Sequence, residues 1–171
     1  FLDNRPDWTV SIALVESGRP SVAALYAPIT DEMFLATLGG GATRNDIALK
    51  IPPGGGLASM RIAGPKSHLE RLGKLDPSVR PQPKVFSLAL RATRVATGEF
   101  DAALASRNSH DWDLAAADLL VHEAGGTITD LDGAVITYNR PDPVHGTLIA
   151  AGPGRHRALI GVLRDRRSEV A

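Results

Sequence analysis

The sequence predicts a layered α/β protein in which an antiparallel sheet is followed by alternating strands and helices. Residues 8–45 are short runs of apolar and β-branched residues separated by turn sequences, which is the pattern of an antiparallel meander. Beyond the Pro- and Gly-rich segment, short apolar strands alternate with helical segments. We therefore divide the chain into an antiparallel sheet portion at 1–51, a linker at 52–58, an α/β subdomain at 59–163 and a charged tail at 164–171.

Four strands are predicted in the first part of the chain. Residues 8–16 are almost all apolar or β-branched, so we expect a strand that is buried. A turn at 17–20 leads to a returning strand at 22–26, which completes a hairpin. A third strand at 32–38 and a short fourth strand at 42–45 would extend the same sheet.

Strands and helices alternate in the second part of the chain, with glycines and turn residues between them. The predicted elements are a strand at 60–63, helices at 67–72 and 87–97, a strand at 100–104, a helix that follows Asp113, strands at 127–129 and 147–151, and a helix at 155–163.

The stretch from Ser109 to Gly126 carries the clearest helix signal. Asp113 can cap a helix by accepting backbone N–H bonds, and the run that follows is rich in Ala and Leu. Gly125 and Gly126 end the helix, because glycine readily adopts the left-handed geometry. The helix is largely apolar and should be buried, which leaves Asp113 at the edge of the core as either a cap or a metal ligand.

Composition excludes several classes of chemistry. Hydrophobic residues make up 43% and charged residues 22%, as in ordinary soluble domains. Lys+Arg and Asp+Glu both number 19, so the balanced charge gives no reason to expect a nucleic acid polymer or a membrane surface as a partner. Because cysteine is absent, disulfides and thiolate chemistry are excluded, which fits a cytoplasmic protein. No apolar run approaches the roughly 20 residues that span a bilayer.

Three motifs together resemble the C-terminal signature of the inositol monophosphatase superfamily. They are Trp-Asp-Leu-Ala-Ala at 112–116, Glu-Ala-Gly-Gly at 123–126 and Thr-Asp-Leu-Asp-Gly at 129–133. Members are magnesium-dependent phosphomonoesterases that use this Asp as a metal ligand. The resemblance implies that Asp113 binds Mg²⁺, and that the chain forms the C-terminal part of an α-β-α-β-α sandwich with the active site between two sheets.

The resemblance also indicates an incomplete metal site. Family members supply their other ligands from an upstream Glu and an Asp-Pro-x-Asp-Gly-Thr motif, and neither is present. Residues 1–10 resemble the segment that follows this motif in the nucleotidase branch. We therefore expect that the catalytic acidic loop lies upstream of Phe1 and that this chain alone is inactive.

Five further residues match substrate-side positions of the family. Ser87 and Arg91 resemble the Ser and Lys of Ser-x-Ala-Leu-Lys at a helix start, where an anion can bind. A simple helix cap and a solvated cation are the alternatives. Ser67 and His68 resemble part of an Arg-Ser-His stretch that holds the nucleotide in bisphosphate nucleotidases, and a surface histidine is the alternative. His110 either orients substrate or belongs to a turn.

Four other residues are assigned structural roles. We expect Trp112 to pack, Glu123 to be structural, and Asp130 and Asp132 to form an Asp-Gly turn.

The preferred function is a 3′(2′),5′-bisphosphate nucleotidase that removes the 3′-phosphate of adenosine 3′,5′-bisphosphate, a product of sulfate assimilation. An inositol or other sugar monophosphatase is the first alternative. The second is a catalytically incomplete chain that binds a nucleotide or a partner. The resemblance implies a small phosphorylated metabolite as partner and a homodimer as the assembly.

Overall fold

The first sheet is an antiparallel meander. In the computed structural model, which describes residues 5–164, its five strands lie side by side in chain order. They are β1 (Val10–Glu16), β2 (Arg19–Ala27), β3 (Glu32–Thr37), β4 (Gly41–Arg44) and β5 (Ile47–Ala48). Phe1 and most of the predicted tail lie outside the described residues.

The second sheet is mixed and also has five strands among residues 5–164. They are β6 (Arg61–Ala63), β7 (Arg80–Pro81), β8 (Ala102–Ala105), β10 (Thr127–Asp130) and β12 (Leu148–Ala151), and they lie in the order β10-β12-β8-β6-β7. Strand β6 runs parallel to β7 and β8, whereas β12 runs antiparallel to both of its neighbours. A separate antiparallel ribbon joins β9 (Ser109–His110) to β11 (Val144–His145).

The described part of the chain also contains four helices: α1 (Lys66–Leu75), α2 (Leu88–Ala96), α3 (Asp111–Glu123) and α4 (Pro153–Arg164). Helices α2 and α3 lie between the two sheets and contact both. Helices α1 and α4 pack on the far side of the second sheet, where Leu72 and Leu159 are fully buried. The described residues therefore form four alternating layers, sheet, helices, sheet and helices, which confirms the predicted layered α/β class.

Strand β8 contributes side chains to both hydrophobic cores. Ala103 and Ala105 face the core shared with α2 and α3, whereas Ala102 and Leu104 face the core shared with α1 and α4. Because successive side chains of a strand point to opposite faces, a strand with helices on both sides is apolar throughout.

Helix α3 is buried almost all round, as its composition predicts. Residues 114–121 are all buried, and Gly125 follows the helix with φ +93°, in the left-handed region. The predicted start is wrong by three residues, because the helix begins at Asp111, and His110, in place of Asp113, occupies the cap position. Asp113 thus lies inside the first turn and does not cap the helix.

The prediction of a buried first strand is wrong for one face of the sheet. Val10, Ile12 and Leu14 are 47%, 63% and 54% exposed. The reason is that both faces of β1 are apolar, whereas α2 and α3 cover only the face that carries Ala13 and Val15. No helix among the described residues is both long and apolar enough to cross a bilayer.

Candidate active site

A cleft of about 420 Å³ lies where the N-terminal ends of α2 and α3 meet the segment that leads into β1. It brings together two of the predicted site residues, Ser87 and Asp113. The residues that line it are Arg5, Asp7, Trp8, Thr9, Ser11, Phe86, Ser87, Ala89, Trp112 and Asp113.

Asp113 has a partly buried carboxylate at the cleft. It makes no hydrogen bond or ion pair within residues 5–164. Burial raises the pKa of Asp113, and the nearby His110 opposes this effect. The N-terminal end of a helix favours negative charge, so α3 helps to keep the carboxylate ionised. A carboxylate that is desolvated, unpaired and exposed to a cleft is typical of a functional group.

Asp111, two residues earlier, has the opposite environment. One carboxylate oxygen lies 2.6 Å from His145 Nε2, and the other accepts a hydrogen bond of 2.8 Å from the backbone N–H of Asn139. Both oxygens of Asp111 therefore serve the structure. The two neighbouring carboxylates of the first turn have separate tasks.

Ser87 caps helix α2 and faces the same cleft. Its Oγ accepts a hydrogen bond of 3.2 Å from the backbone N–H of Leu90, which satisfies one of the open donors of the first turn. Thr9 Oγ1 lies 3.0 Å from Ser87 Oγ and connects the segment before β1 to this cap. The N-terminal end of α2 is thereby directed at the cleft, where its positive end can attract an anion.

Arg91 lines a second cleft, of about 630 Å³, at the carboxyl ends of β6, β7 and β8. One guanidinium nitrogen donates to the Val85 carbonyl at 3.0 Å, whereas its buried Nε has no partner among the described residues. Burial lowers the pKa of Arg91. Lys84 also lines this cleft, and its ammonium lies 4.0 Å from the ring centre of Phe86, which lines the first cleft.

The remaining predicted site residues lie outside both sets of lining residues. Ser67 and His68 are in the first turn of α1, where burial and the cations of Arg71 and Arg107 lower the pKa of His68. His110 stacks on Trp112 with ring centres 4.3 Å apart. The substrate-binding roles of Ser67, His68, Ser87, Arg91 and His110, and the ligand role of Asp113, remain predictions.

A buried polar cluster beside α3 was not identified from the sequence. Asp118 is only 1% exposed, lies 2.8 Å from a guanidinium nitrogen of Arg19, and accepts a hydrogen bond of 3.0 Å from the hydroxyl of Tyr138. Burial raises the pKa of Asp118, and Arg19 and then Tyr138 oppose this. Its position seven residues after Asp111, on the same face of the helix, was the available signal.

The described residues do not complete a metal site. Within residues 5–164, no three His, Asp or Glu side chains are close enough together to hold a metal ion. Asp113 has the oxygen donors that a hard cation such as Mg²⁺ prefers, but one carboxylate is too few to fix the ion.

Comparison with known proteins identifies the family. The model of the inositol monophosphatase family matches residues 1–169. The Nus factor SuhB of Salmonella typhimurium is 30% identical over 179 residues, which cover 99% of this chain and 65% of that protein. The inositol-1-monophosphatase of Rhizobium meliloti is 34% identical over 142 residues, which cover 78% of this chain and 53% of that enzyme. This chain thus spans less than two thirds of the length of these relatives.

A solved structure agrees with the fold. The extragenic suppressor protein suhB of Bartonella henselae superposes with a TM-score of 0.82 and 31% identity, over 96% of this chain and 67% of that one.

The comparisons correct two expectations. The relatives are SuhB proteins and inositol-1-monophosphatases, so the preference for the bisphosphate nucleotidase branch is not supported. The restriction to the C-terminal part of the fold is not supported either, since the match runs through nearly the whole chain. The chain belongs to the inositol monophosphatase family.

Proposed function

We propose that the protein is a magnesium-dependent phosphomonoesterase that hydrolyses inositol monophosphate or a related sugar monophosphate. The proposal is supported by the family and by the inositol-1-monophosphatases among the relatives. The observation that carries it is the unpartnered carboxylate of Asp113, which faces the same cleft as the N-terminal end of α2. An acidic group for a cation and an anion-attracting helix end suit a phosphate ester.

Each part of the cleft has a task in this proposal. Asp113 contributes one ligand to the cation, and the N-terminal turn of α3 stabilises its negative charge. Ser87 and the open N–H groups of α2 bind phosphoryl oxygens. A bound Mg²⁺ would supply Lewis-acid polarisation of the phosphoryl group. Phe86 and Trp112 are 45% and 62% exposed at the cleft, and can contact the apolar face of a sugar ring.

The test compares substrates on the full protein. We expect release of inorganic phosphate from inositol 1-phosphate, loss of this release with EDTA, and recovery with excess Mg²⁺. Glucose 6-phosphate and adenosine 3′,5′-bisphosphate are the comparison substrates. A higher kcat/KM for the bisphosphate would contradict the inositol assignment, and full activity in EDTA would contradict the magnesium requirement.

A second candidate is binding without turnover. The observation that favours it is that residues 5–164 contain no complete ligand set for a metal ion. Calorimetric binding of inositol 1-phosphate by a preparation that releases no phosphate would support this alternative. A small phosphorylated metabolite as ligand, a homodimer and a cytoplasmic location remain predictions.

A further inference from the structure

The N-terminal turn of α3 is held by a residue far away in the chain. His145 lies 34 positions after Asp111, and its Nε2 is 2.6 Å from Asp111 Oδ1. The two side chains are only 6% and 15% exposed, so little water competes for this contact. The second oxygen of Asp111 accepts from the backbone N–H of Asn139, so the carboxylate joins the helix to both ends of the 139–145 loop.

The backbone reinforces the same connection. The ribbon pairs His110 with Val144 and Ser109 with His145. The N–H of Asp111 donates to the Pro143 carbonyl at 3.1 Å, and that of Asn108 donates to the His145 carbonyl at 3.0 Å. These bonds bring the start of α3 to the loop, and the Asp111–His145 contact fixes the rotation of the first turn against it.

Among the described residues, Asp111 is the residue of the first turn whose side chain bonds to this loop. The cap residue His110 makes no side-chain capping bond, and its ring stacks on Trp112. The side chain of Asp113 makes no hydrogen bond or ion pair with the described residues. A helix without a capping side chain frays at its start. The direction of Trp112 and Asp113 therefore depends on the contact that Asp111 makes.

We infer that Asp111 and His145 form a positioning pair that fixes the first turn of α3, and with it the direction in which Asp113 faces the cleft. Neither residue of the pair is among those that line the cleft of Asp113. Its importance for turnover rests on the proposed function, whereas its effect on the order of the first turn does not.

Trp112 provides a readout that needs neither metal nor substrate, because it lies between Asp111 and Asp113. In a Trp8→Phe background it is the sole tryptophan. Time-resolved fluorescence anisotropy then measures motion of the first turn on the nanosecond scale. We expect His145→Ala to increase the amplitude of the fast anisotropy decay. His145→Gln, which keeps an N–H donor for Asp111, should restore the slow decay.

The matched control is Glu123→Gln, which weakens a carboxylate contact at the other end of the same helix. Its carboxylate oxygens accept from the backbone N–H groups of Gly39 and Gly41 at 2.9 and 2.8 Å. We expect this variant to lower stability without changing the anisotropy of Trp112. If His145→Ala does not fold, Asp111→Asn replaces it, since Asn keeps one acceptor oxygen.

Turnover supplies the second readout. We expect His145→Ala to lower kcat for inositol 1-phosphate about 10-fold with little change in KM. The reason is that mutation of a residue that supports a metal ligand typically lowers activity or metal affinity 10- to 100-fold. Unchanged Trp112 anisotropy in folded His145→Ala, or the same increase in Glu123→Gln, would overturn the inference. If the parent protein releases no phosphate, the proposed function fails, and the anisotropy comparison still decides the role of the pair.

Discussion

The two ends of helix α3 are both fastened by a carboxylate, and the N-terminal end also lines the cleft of Asp113. At the C-terminal end, Glu123 accepts two backbone N–H bonds, one from Gly39 in the turn between β3 and β4 and one from Gly41 at the start of β4. At the N-terminal end, Asp111 is bonded to His145 and to the backbone of Asn139. The fastenings are alike in chemistry, because each carboxylate joins the helix to a distant loop.

The two ends differ in the residues that lie beside each carboxylate. Next to Glu123 there is no further acidic residue in the last turn, and the helix closes with Gly125. Next to Asp111, Asp113 lies partly buried and unbonded among the described residues. Within α3, the carboxylates of Asp111, Asp118 and Glu123 therefore have partners, whereas that of Asp113 has none among the described residues. An unsatisfied charged group beside a satisfied one indicates function.

The strongest way to sharpen this comparison is to remove the free carboxylate. If Asp113 is a cation ligand, Asp113→Asn removes several kcal/mol of transition-state stabilisation and lowers kcat/KM about 1,000-fold. Stability should stay the same or increase, because a desolvated charge is removed. Phosphate release and thermal unfolding measure the two effects. Strong destabilisation with retained activity would assign Asp113 to the structure.

The middle of the same helix contains a fully buried carboxylate. Arg19→Ala would leave Asp118 without its cation, and we expect a loss of about 3 kcal/mol in the free energy of unfolding. Arg19→Lys keeps the charge and should recover part of this loss. Urea unfolding measures both variants at pH 7. A loss well below 1 kcal/mol for Arg19→Ala would mean that Tyr138 alone satisfies Asp118.

The fastening at the C-terminal end should affect stability and not turnover. Glu123→Gln keeps one acceptor oxygen for the β3–β4 turn, so we expect a loss of about 1 to 2 kcal/mol in the free energy of unfolding. Its kcat/KM should equal that of the parent protein. Urea unfolding and phosphate release test this pair of expectations, and a fall in kcat would mean that the two ends of α3 are coupled.

An effect of similar size concerns α2, which is fastened to the first sheet by an ion pair. Arg94 donates to Glu32 at 2.7 Å and, chiefly through this bond, lowers the pKa of Glu32 from 4.5 to about 2. The lowered pKa stabilises the fold above pH 4.5, and this contribution is lost as the pH falls toward 2. We expect Glu32→Gln to cost about 1 to 2 kcal/mol at pH 7.

Melting temperatures measured over a pH series test the direction of this effect. The difference in melting temperature between the parent protein and Glu32→Gln should be constant above about pH 5 and should shrink between pH 4.5 and pH 2. A difference that stays the same down to pH 2 would show that the ion pair does not stabilise the folded state.

Local sequence signals predicted the four helices and the longer strands, but not the two-residue strands β5, β7, β9 and β11. Hairpins, the helix after Asp113 and the glycine that ends it follow from residues that are neighbours in the chain. The turn after β10 was also predicted, and Asp130 Oδ1 accepts from the backbone N–H groups of Asp132 and Ala134. The burial of β1 was predicted wrongly, because an all-apolar strand does not reveal which of its faces is covered.

Residues of the site could be predicted only where they belong to a sequence motif of the family. The role expected of Asp113 came from the resemblance, and the structure adds that its carboxylate is unbonded. The Asp111–His145 contact could not be predicted, because it depends on how the β9–β11 ribbon pairs two distant segments. The start of α3 was misplaced for the same reason, since Asp111 uses its side chain in a long-range contact.

Fastening both ends of α3 also fixes its length. Each added residue turns an α-helix by about 100° and lengthens it by about 1.5 Å. If one alanine were inserted among Ala115–Ala117, Asp111 and Glu123 could no longer face their partners at the same time. Insertions should therefore be accommodated in the loops at either side of α3 and not within it. The length of α3 therefore determines the distance between the cleft and the β3–β4 turn.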